Sequence, residues 1–191
     1  MRIKADIFGH AVDCLIGAQG AHIAMNAVGA LGAVALLDGD VLNAAASLKD
    51  FSALKGRGAR FTAGGVEVID ESYNANPASM AAALDLLGAA QGRKLAVLGD
   101  MLEMGEEGPA HHAALADPIA AAHTDLVFAS GRQMKALWDI LPPAQRGAYA
   151  ENSAALVDKL TALLKPGDTV LVKGSLGSRM AVIVEALKGK S

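Results

Sequence analysis

From about residue 65 to the end of the chain, short apolar runs alternate with longer segments that have the spacing and composition of helices. The runs lie at 66–70, 94–100, 125–130, 147–150 and 168–174, and the predicted helices at 77–90, 109–123, 131–141, 152–164 and 178–188. Strands that alternate with helices in this way form βαβ units around a mostly parallel sheet. Runs such as LAVL and TVLV lack period-two alternation, so we expect strands that are covered on both faces. The pattern predicts an α/β fold in which helices flank a mostly parallel sheet.

The first 60 residues lack that alternation. Residues 5–10 and 12–18 are typical of the two strands of a hairpin, and residues 20–37 and 40–50 predict two helices. This part is either a small α+β cap or the tail of a preceding domain. Glycines cluster in GRGARFTAGG, residues 56–65, and such clusters mark loops. We therefore place a boundary there and divide the chain into domains at 1–61 and 62–191.

Composition narrows the classes of function. Hydrophobic residues make up 52% of the chain, enough for a full core, and the net charge is −3. Neither a basic patch for nucleic acid nor a basic helix for a membrane surface is present. Cys14 is the single cysteine, so no internal disulfide can form, and no apolar run reaches the roughly 18 residues of a membrane span. We expect a soluble cytoplasmic protein with no nucleic-acid or membrane partner.

Polar residues cluster where four of the predicted strands end. In an open parallel sheet, ligands bind beyond the carboxyl ends of the strands. The four clusters in chain order are DESYNANP, GDMLEMGEE, GR and KGSLGS. Their common position predicts a binding site on one edge of the sheet.

The first cluster holds more polar groups than a helix start needs. Asn76 and Pro77 suit an N-cap and the first helical turn. This capping role does not account for the side chains before them, which are Asp70, Glu71, Tyr73 and Asn74.

The other clusters permit both a structural and a functional interpretation. Lys173, Ser175 and Ser178 lie at a predicted helix start, where they either hold an anion or cap the helix. Asp100 and Glu103 are either solvated turn residues or members of the site. His111 and His112 are adjacent and lack the spacing of a shared metal site, so we expect no metal ligands.

Two nucleotide-binding patterns are missing from the sequence. GxxxxGK followed by Ser or Thr does not occur, so this chain carries no P-loop. GxGxxG with an acidic residue about 20 positions later does not occur either, which argues against a dinucleotide site.

The strand-end motifs resemble those of the Mur peptide ligase family. DESYNANPASM is similar to the family's strand-to-helix signature, and YNANP is typical of the members that add D-Ala-D-Ala. GDMLEMG with His112, and LVKGSLGSRM, resemble the next and the last strand ends. GAHIAMNAVGALG, residues 20–32, resembles the HxxxN helix of the ATP-binding domain, and LKGRGARF, residues 54–61, resembles the turn that follows it. These motifs occur in the family's order and cover essentially the whole chain.

The resemblance implies a fold and a reaction. Residues 1–61 would be the tail of a central ATPase domain, and 62–191 a Rossmann-like carboxyl-terminal domain. ATP would phosphorylate the terminal carboxylate of UDP-N-acetylmuramoyl-tripeptide, and the amine of D-Ala-D-Ala would attack the acyl phosphate. The family's P-loop, Mg²⁺ ligands and UDP-binding domain lie upstream of the HxxxN helix. The resemblance thus implies ATP and Mg²⁺ for the complete enzyme and an inactive chain in isolation.

The resemblance also implies roles for individual residues. The nucleotide-binding set would be Asn26, Arg57, Glu71 and Asp70, although the family more often carries Asp at position 71. The substrate-binding set would be Tyr73, Asn74, Asn76, Ser79, Lys173 and Ser175. Further candidates for the site are His22, Asp100, Glu103 and His112.

Other interpretations fit part of the pattern. The chain could belong to a Mur-type ligase that adds a different amino acid. It could be a non-catalytic module that binds a nucleotide or a cell-wall peptide. It could also be a Rossmann-like domain whose strand ends are only capped turns.

Overall fold

The computed structural model describes residues 1–18, 20–51 and 55–189, with the side chain of His22 outside the described set. The contacts between Cα atoms divide the chain into a first unit, residues 1–54, and a second unit, residues 55–191. No helix within the described ranges is both long and apolar enough to cross a bilayer.

The first unit is a hairpin packed on two helices. Its elements are β1 Arg2–Ile7, β2 His10–Leu15, α1 Ala21–Leu36 and α2 Val41–Ser47, and a 3₁₀ turn at Leu48–Asp50 follows α2. The strands pair antiparallel across Phe8 and Gly9, which both have positive φ, as a two-residue hairpin turn requires. The Asp40 carboxylate caps α2 by accepting from the Asn43 N–H at 2.9 Å. The predicted hairpin and both helices are confirmed, with the hairpin turn earlier than expected.

The second unit contains a six-stranded sheet in the order β3–β4–β8–β5–β6–β7. Its strands are β3 Ala59–Ala63, β4 Val66–Glu71, β5 Lys94–Gly99, β6 Leu126–Ser130, β7 Arg146–Ala150 and β8 Thr169–Lys173. β3 runs antiparallel to β4, and every other pair is parallel. The predicted α/β fold with a mostly parallel sheet is confirmed.

Strand β3 was not predicted, because its glycine-rich surroundings were interpreted as a boundary. Gly64 and Gly65 have φ values of 57° and 78° and form the two-residue turn that pairs Ala63 with Val66. β3 therefore belongs to the sheet, and the contacts divide the chain at 54/55, before the predicted division at 61/62. The assignment of 1–61 to an ATP-binding domain stays a prediction.

The helices of the second unit are shorter than predicted. They are α3 Pro77–Gly88, α4 Gly108–Ala113, α5 Ala116–Ala121, α6 Met134–Ile140, α7 Val157–Thr161 and α8 Ala181–Lys188. The helix predicted at 109–123 is two helices. The break lies at 114–115, whereas Pro118 sits in the first turn of α5, where proline is tolerated. The segments expected to open the last two helices form 3₁₀ turns, at Ser153–Leu156 and Leu176–Ser178.

The sheet is apolar on both faces. Ile69, Leu98 and Leu171 belong to a buried cluster with side chains of α3, α5 and α6. Val68, Val97 and Val172 belong to a second cluster with side chains of α7 and α8. This double coverage explains the continuous apolar runs. It leaves the carboxyl edge of the parallel strands as the place where their polar ends meet.

Candidate functional site at the carboxyl edge of the sheet

Glu71 and Lys173 end the neighbouring strands β4 and β8 and are register partners. The Lys173 Nζ lies 3.7 Å from Glu71 Oε2 and donates to the Asn74 carbonyl at 2.9 Å. Lys173 is only 2% exposed. Burial lowers the pKa of Lys173, and the Glu71 carboxylate opposes this only in part. The edge therefore holds a desolvated cation beside an acidic group.

Two residues after Glu71, Tyr73 stacks with Arg57. The guanidinium carbon of Arg57 lies 4.2 Å from the centroid of the Tyr73 ring, within cation–π range. Both residues are exposed. A planar cation that keeps its donors toward solvent is suited to an anionic ligand such as a phosphate.

Asp70 points inward, unlike Glu71. It is 1% exposed, and its two oxygens accept from the Gly56 N–H at 3.0 Å, the Ser72 N–H at 3.1 Å and the Ser72 hydroxyl at 2.6 Å. Of the two acids predicted to bind the nucleotide, Glu71 is the one beside the cation of the edge.

The residues predicted next to the substrate make local hydrogen bonds. Asn74 is exposed, and its side-chain oxygen accepts from the Ala75 N–H at 2.9 Å. Asn76 caps α3 by accepting from the Ser79 N–H at 2.8 Å, and the Ser79 hydroxyl in turn accepts from the Asn76 N–H at 3.1 Å. This reciprocal capping box accounts structurally for Asn76 and Ser79, while the exposed amide of Asn76 keeps free donors.

Ser175 connects the ends of three strands. Its Oγ accepts from the Leu102 N–H at 3.0 Å and donates to the Ala75 carbonyl at 3.4 Å. Its own N–H donates to the Asp100 carbonyl at 3.1 Å. The loops after β4, β5 and β8 are thus held together at one residue.

Asp100 and His112 organise the loop after β5. The Asp100 carboxylate accepts from the backbone N–H groups of Gln133 and Met134 at the start of α6. The His112 Nε2 accepts from the Met101 N–H at 2.8 Å, and its Nδ1 donates to the Gly108 carbonyl at 2.6 Å. These two bonds require the neutral tautomer with the proton on Nδ1. The 3.9 Å approach of Asp100 to His112 is therefore not an ion pair.

The remaining candidates are Glu103, Asn26 and His22. Glu103 is exposed on the loop after β5 with φ of 64°. Asn26 is exposed on α1 of the first unit, and the side chain of His22 on the same helix lies outside the described residues.

Two residues within the predicted clusters were given no individual role from the sequence. The Ser72 side chain is buried against Asp70, and a polar position within DESYNANP was the available signal. Gly131 packs against Asp100: a Cβ built on it would lie 2.2 Å from the carboxyl carbon. The glycine directly after β6 was the signal there.

Among the described residues, the acidic and histidine side chains do not converge as a metal site would require. Within the described part of the chain, no three His, Cys, Asp or Glu side chains could hold one ion. This donor set does not fit Mg²⁺.

Known proteins resemble this chain in sequence and in fold. The family model described as Mur ligase, glutamate ligase domain, matches residues 56–176. The UDP-N-acetylmuramoyl-tripeptide–D-alanyl-D-alanine ligase of Rickettsia prowazekii is 32% identical over 165 residues, which cover 86% of this chain and 37% of the relative. The enzyme of the same name from Escherichia coli is 34% identical over 183 residues, which cover 93% of this chain and 39% of the relative. The chain thus spans less than two-fifths of the length of these curated relatives.

Solved structures show the same fold. A crystal structure of MurF from Acinetobacter baumannii aligns with a TM-score of 0.83 and 26% identity, over 94% of this chain and 40% of that chain. MurF from Thermotoga maritima in complex with ADP aligns with a TM-score of 0.82 and 21% identity, over 99% of this chain and 43% of that chain. Since the family model matches more than half of the sequence and includes the edge of the sheet where these polar residues meet, the chain belongs to the Mur ligase family and carries its glutamate ligase domain.

Proposed function

We propose that this chain forms part of an ATP-dependent ligase that joins D-Ala-D-Ala to UDP-N-acetylmuramoyl-tripeptide in the synthesis of a peptidoglycan precursor. The names of the curated relatives support this substrate pair. The observation that carries the proposal is the edge itself, where the end of β4 carries both the Arg57–Tyr73 stack and the Glu71–Lys173 pair. We place the reaction in the cytoplasm, where ATP is available.

The proposed nucleotide contacts use the charges of this edge. Arg57 would donate to phosphate oxygens, which match its planar fork of N–H groups. Glu71 would accept from the ribose hydroxyls, a task for a carboxylate with free lone pairs. Asn26 on the first unit would contact the adenine side, and Mg²⁺ would be held by residues outside this chain.

The proposed dipeptide contacts use the loop before α3 and the end of β8. Lys173 is only 2% exposed, so it would act on the carboxylate of D-Ala-D-Ala through its charge in a low local dielectric and not through a direct contact. Ser175 would hold the surrounding loops in register for that carboxylate. Tyr73, Asn74 and the free amide donors of Asn76 would face the dipeptide, with Ser79 fixing the orientation of Asn76.

The proposed chemistry is acyl transfer in two steps. Phosphoryl transfer from ATP converts the terminal carboxylate of the tripeptide into an acyl phosphate and releases ADP. The amine nitrogen then forms a bond to the acyl carbon, the carbon–oxygen bond to phosphate breaks, and the amine loses a proton. Such reactions depend mostly on positioning and charge neutralisation, to which Arg57 and Lys173 would contribute the positive charges.

A chimera tests the proposal. In the Escherichia coli relative, the matched region is replaced by this chain, and phosphate release is measured with ATP, UDP-N-acetylmuramoyl-tripeptide and one amine at a time. We expect release that depends on D-Ala-D-Ala and not on single amino acids. Release with a single amino acid would identify another Mur-type ligase. A chimera that is folded by circular dichroism and inactive with every amine would favour a non-catalytic binding module.

The isolated chain provides a second test. We expect this chain alone to form no ADP from the same substrates, because its sequence carries no P-loop. ADP formation by the purified chain would contradict that division of roles.

A further inference from the structure

Asp70 is a buried carboxylate whose hydrogen bonds all go to the chain around it. Both oxygens are engaged, by the Gly56 N–H and by the N–H and hydroxyl of Ser72. At 1% exposure it has no surface to offer a ribose. A buried carboxylate is stable only when donors compensate its lost hydration, and here those donors come from the backbone and from Ser72.

The same contacts close the turn that carries Arg57. The Gly56 N–H donates to the Asp70 carboxylate, and the Gly56 carbonyl accepts from the Tyr73 N–H at 3.1 Å. Two residues later, the Gly58 N–H donates to the Asp70 carbonyl at 2.9 Å. Arg57 thus lies between two glycines that are both tied to the end of β4.

The backbone of the turn lies close to Tyr73. Gly56 has φ of +75°, and a Cβ added there would lie 3.0 Å from the Tyr73 Cβ and 3.1 Å from its nitrogen. Only glycine meets both conditions without strain. This approach brings the Arg57 guanidinium over the Tyr73 ring at 4.2 Å.

We propose that Asp70 is a positioning residue for Arg57: its carboxylate anchors Gly56 and so keeps the Arg57 side chain stacked on Tyr73, while Asp70 itself touches no ligand. The consequence for ATP rests on the proposed function, in which Arg57 reaches the phosphates. An arginine held in one orientation loses less conformational entropy when it binds, so anchoring the turn raises affinity without adding a contact.

An NMR signature tests the anchoring in this chain without any substrate. The Tyr73 ring current moves the Arg57 Hδ and Nε–H resonances upfield while the stack persists. Asp70→Asn keeps the shape of the side chain but turns an NH₂ group toward a backbone N–H in either amide orientation. We expect Asp70→Asn to lose at least half of the upfield shift. Tyr73→Leu defines zero shift, and Tyr73→Phe should retain the full shift.

Asp168→Asn is the matched control. Asp168 is also a buried carboxylate, at 3% exposure, but it binds Arg93 and the Lys165 N–H at the opposite end of β8. Asp168→Asn should lower stability and leave the Arg57 resonances unchanged. If a folded Asp70→Asn retains the shift, or if Asp168→Asn loses it equally, the positioning role is wrong.

Ser72→Ala tests the anchoring role of Asp70 if Asp70→Asn does not fold. It removes one of the three donors to the carboxylate and leaves the charge in place. We expect an intermediate upfield shift with unchanged amide resonances in the strands. A shift equal to that of the unaltered chain would overturn the proposal.

The chimera with the Escherichia coli relative separates this inference from the proposed function. If Asp70 acts through Arg57, Asp70→Asn raises the KM for ATP, and the double variant with Arg57→Ala stays within about twofold of Arg57→Ala alone. If the increase in KM for ATP of the double variant equals the product of the increases in the two single variants, the positioning role is wrong. An unchanged KM in Arg57→Ala would instead reject the nucleotide role of Arg57, while the NMR result on Asp70 would stand.

Discussion

The Ser175 side-chain oxygen accepts a hydrogen bond from the Leu102 N–H across 3.0 Å, joining the end of β8 to the loop after β5. The same hydroxyl donates to the Ala75 carbonyl of the loop before α3. One small side chain therefore keeps the polar ends of three strands together. Its removal should affect stability as well as the site.

Ser175→Ala should lower the free energy of unfolding by about 1–2 kcal/mol, because it leaves the Leu102 N–H without its acceptor. Urea denaturation measures this change. Ser47→Ala is the control: that hydroxyl donates to the Ala44 carbonyl at an exposed position and should cost less than about 0.5 kcal/mol. Equal effects of the two substitutions would show that Ser175 does not link the loops.

Asn76 offers a test that separates capping from substrate binding. Asn76→Ala should cost about 1 kcal/mol, because α3 loses the acceptor for the Ser79 N–H. Asn76→Asp retains an acceptor oxygen and should keep the stability, but it removes the amide donors. In the chimera, Asn76→Asp should therefore raise the KM for D-Ala-D-Ala.

Asn152→Ala is the matched cap. Asn152 accepts from the Ala155 N–H at 3.1 Å at the start of another helical segment. Asn152→Ala should lower the free energy of unfolding about as much as Asn76→Ala does. It should leave the KM for D-Ala-D-Ala unchanged. If Asn76→Asp leaves this KM unchanged too, Asn76 is a cap and not a substrate contact.

Lys173 should make stability depend on pH in the alkaline range. Burial lowers the pKa of Lys173, so the folded protein releases this proton below the ordinary lysine value of 10.5 at which the unfolded chain releases it. Between these two values the unfolded chain binds more protons, and the free energy of unfolding gains a contribution that rises with pH. Lys173→Met removes this contribution.

Urea titrations from about neutral pH to about 10.5 measure the difference between Lys173→Met and the unaltered chain. The free energy of unfolding of the unaltered chain, minus that of Lys173→Met, should increase as pH rises. Lys159→Met, at an exposed position, is the control for the loss of a lysine side chain. If this difference does not change with pH for Lys173→Met, burial in the folded protein does not disfavour the charged form of Lys173.

Gly131 should tolerate no side chain. Its φ is +116°, and an alanine Cβ would enter the Asp100 carboxylate, so Gly131→Ala should cost about 3 kcal/mol or more. Gly105→Ala is the comparison, because Gly105 has φ of +60° and nothing within 4 Å, and it should cost about 1–2 kcal/mol. Thermal unfolding gives both values. Similar losses would show that Asp100 moves aside freely.

The strands were predictable where local sequence and burial agree. β5 and β8 are unbroken apolar runs, and they are the central strands covered on both faces. β3 was missed because ARFTA is short, alternating and bounded by glycines, and because only its pairing with β4 defines it as a strand. The break between α4 and α5 was not predicted, because the residues at 114–115 include no proline or glycine.

The site was predictable as a set of positions but not as a set of orientations. Chain order puts DESYNANP and KGSLGS at the same edge, and the structure brings Glu71 and Lys173 together. Adjacent acids look alike in sequence, yet Asp70 turns inward because Gly56, 14 residues earlier, supplies a donor. Such a pairing depends on tertiary structure and leaves no periodic signal.

β3 is the edge strand of the sheet on the side of β4, so its position determines which backbone groups can pair with another chain. Without it, β4 would end the sheet beside the candidate site with a row of unpaired N–H and C=O groups, which promotes aggregation. β3 occupies that row with five residues, and its Arg60 forms an ion pair with Glu67 at the margin. The strand that carries Glu71 is thereby protected from pairing with a second molecule, and the open edge passes to a short strand that bears a charge.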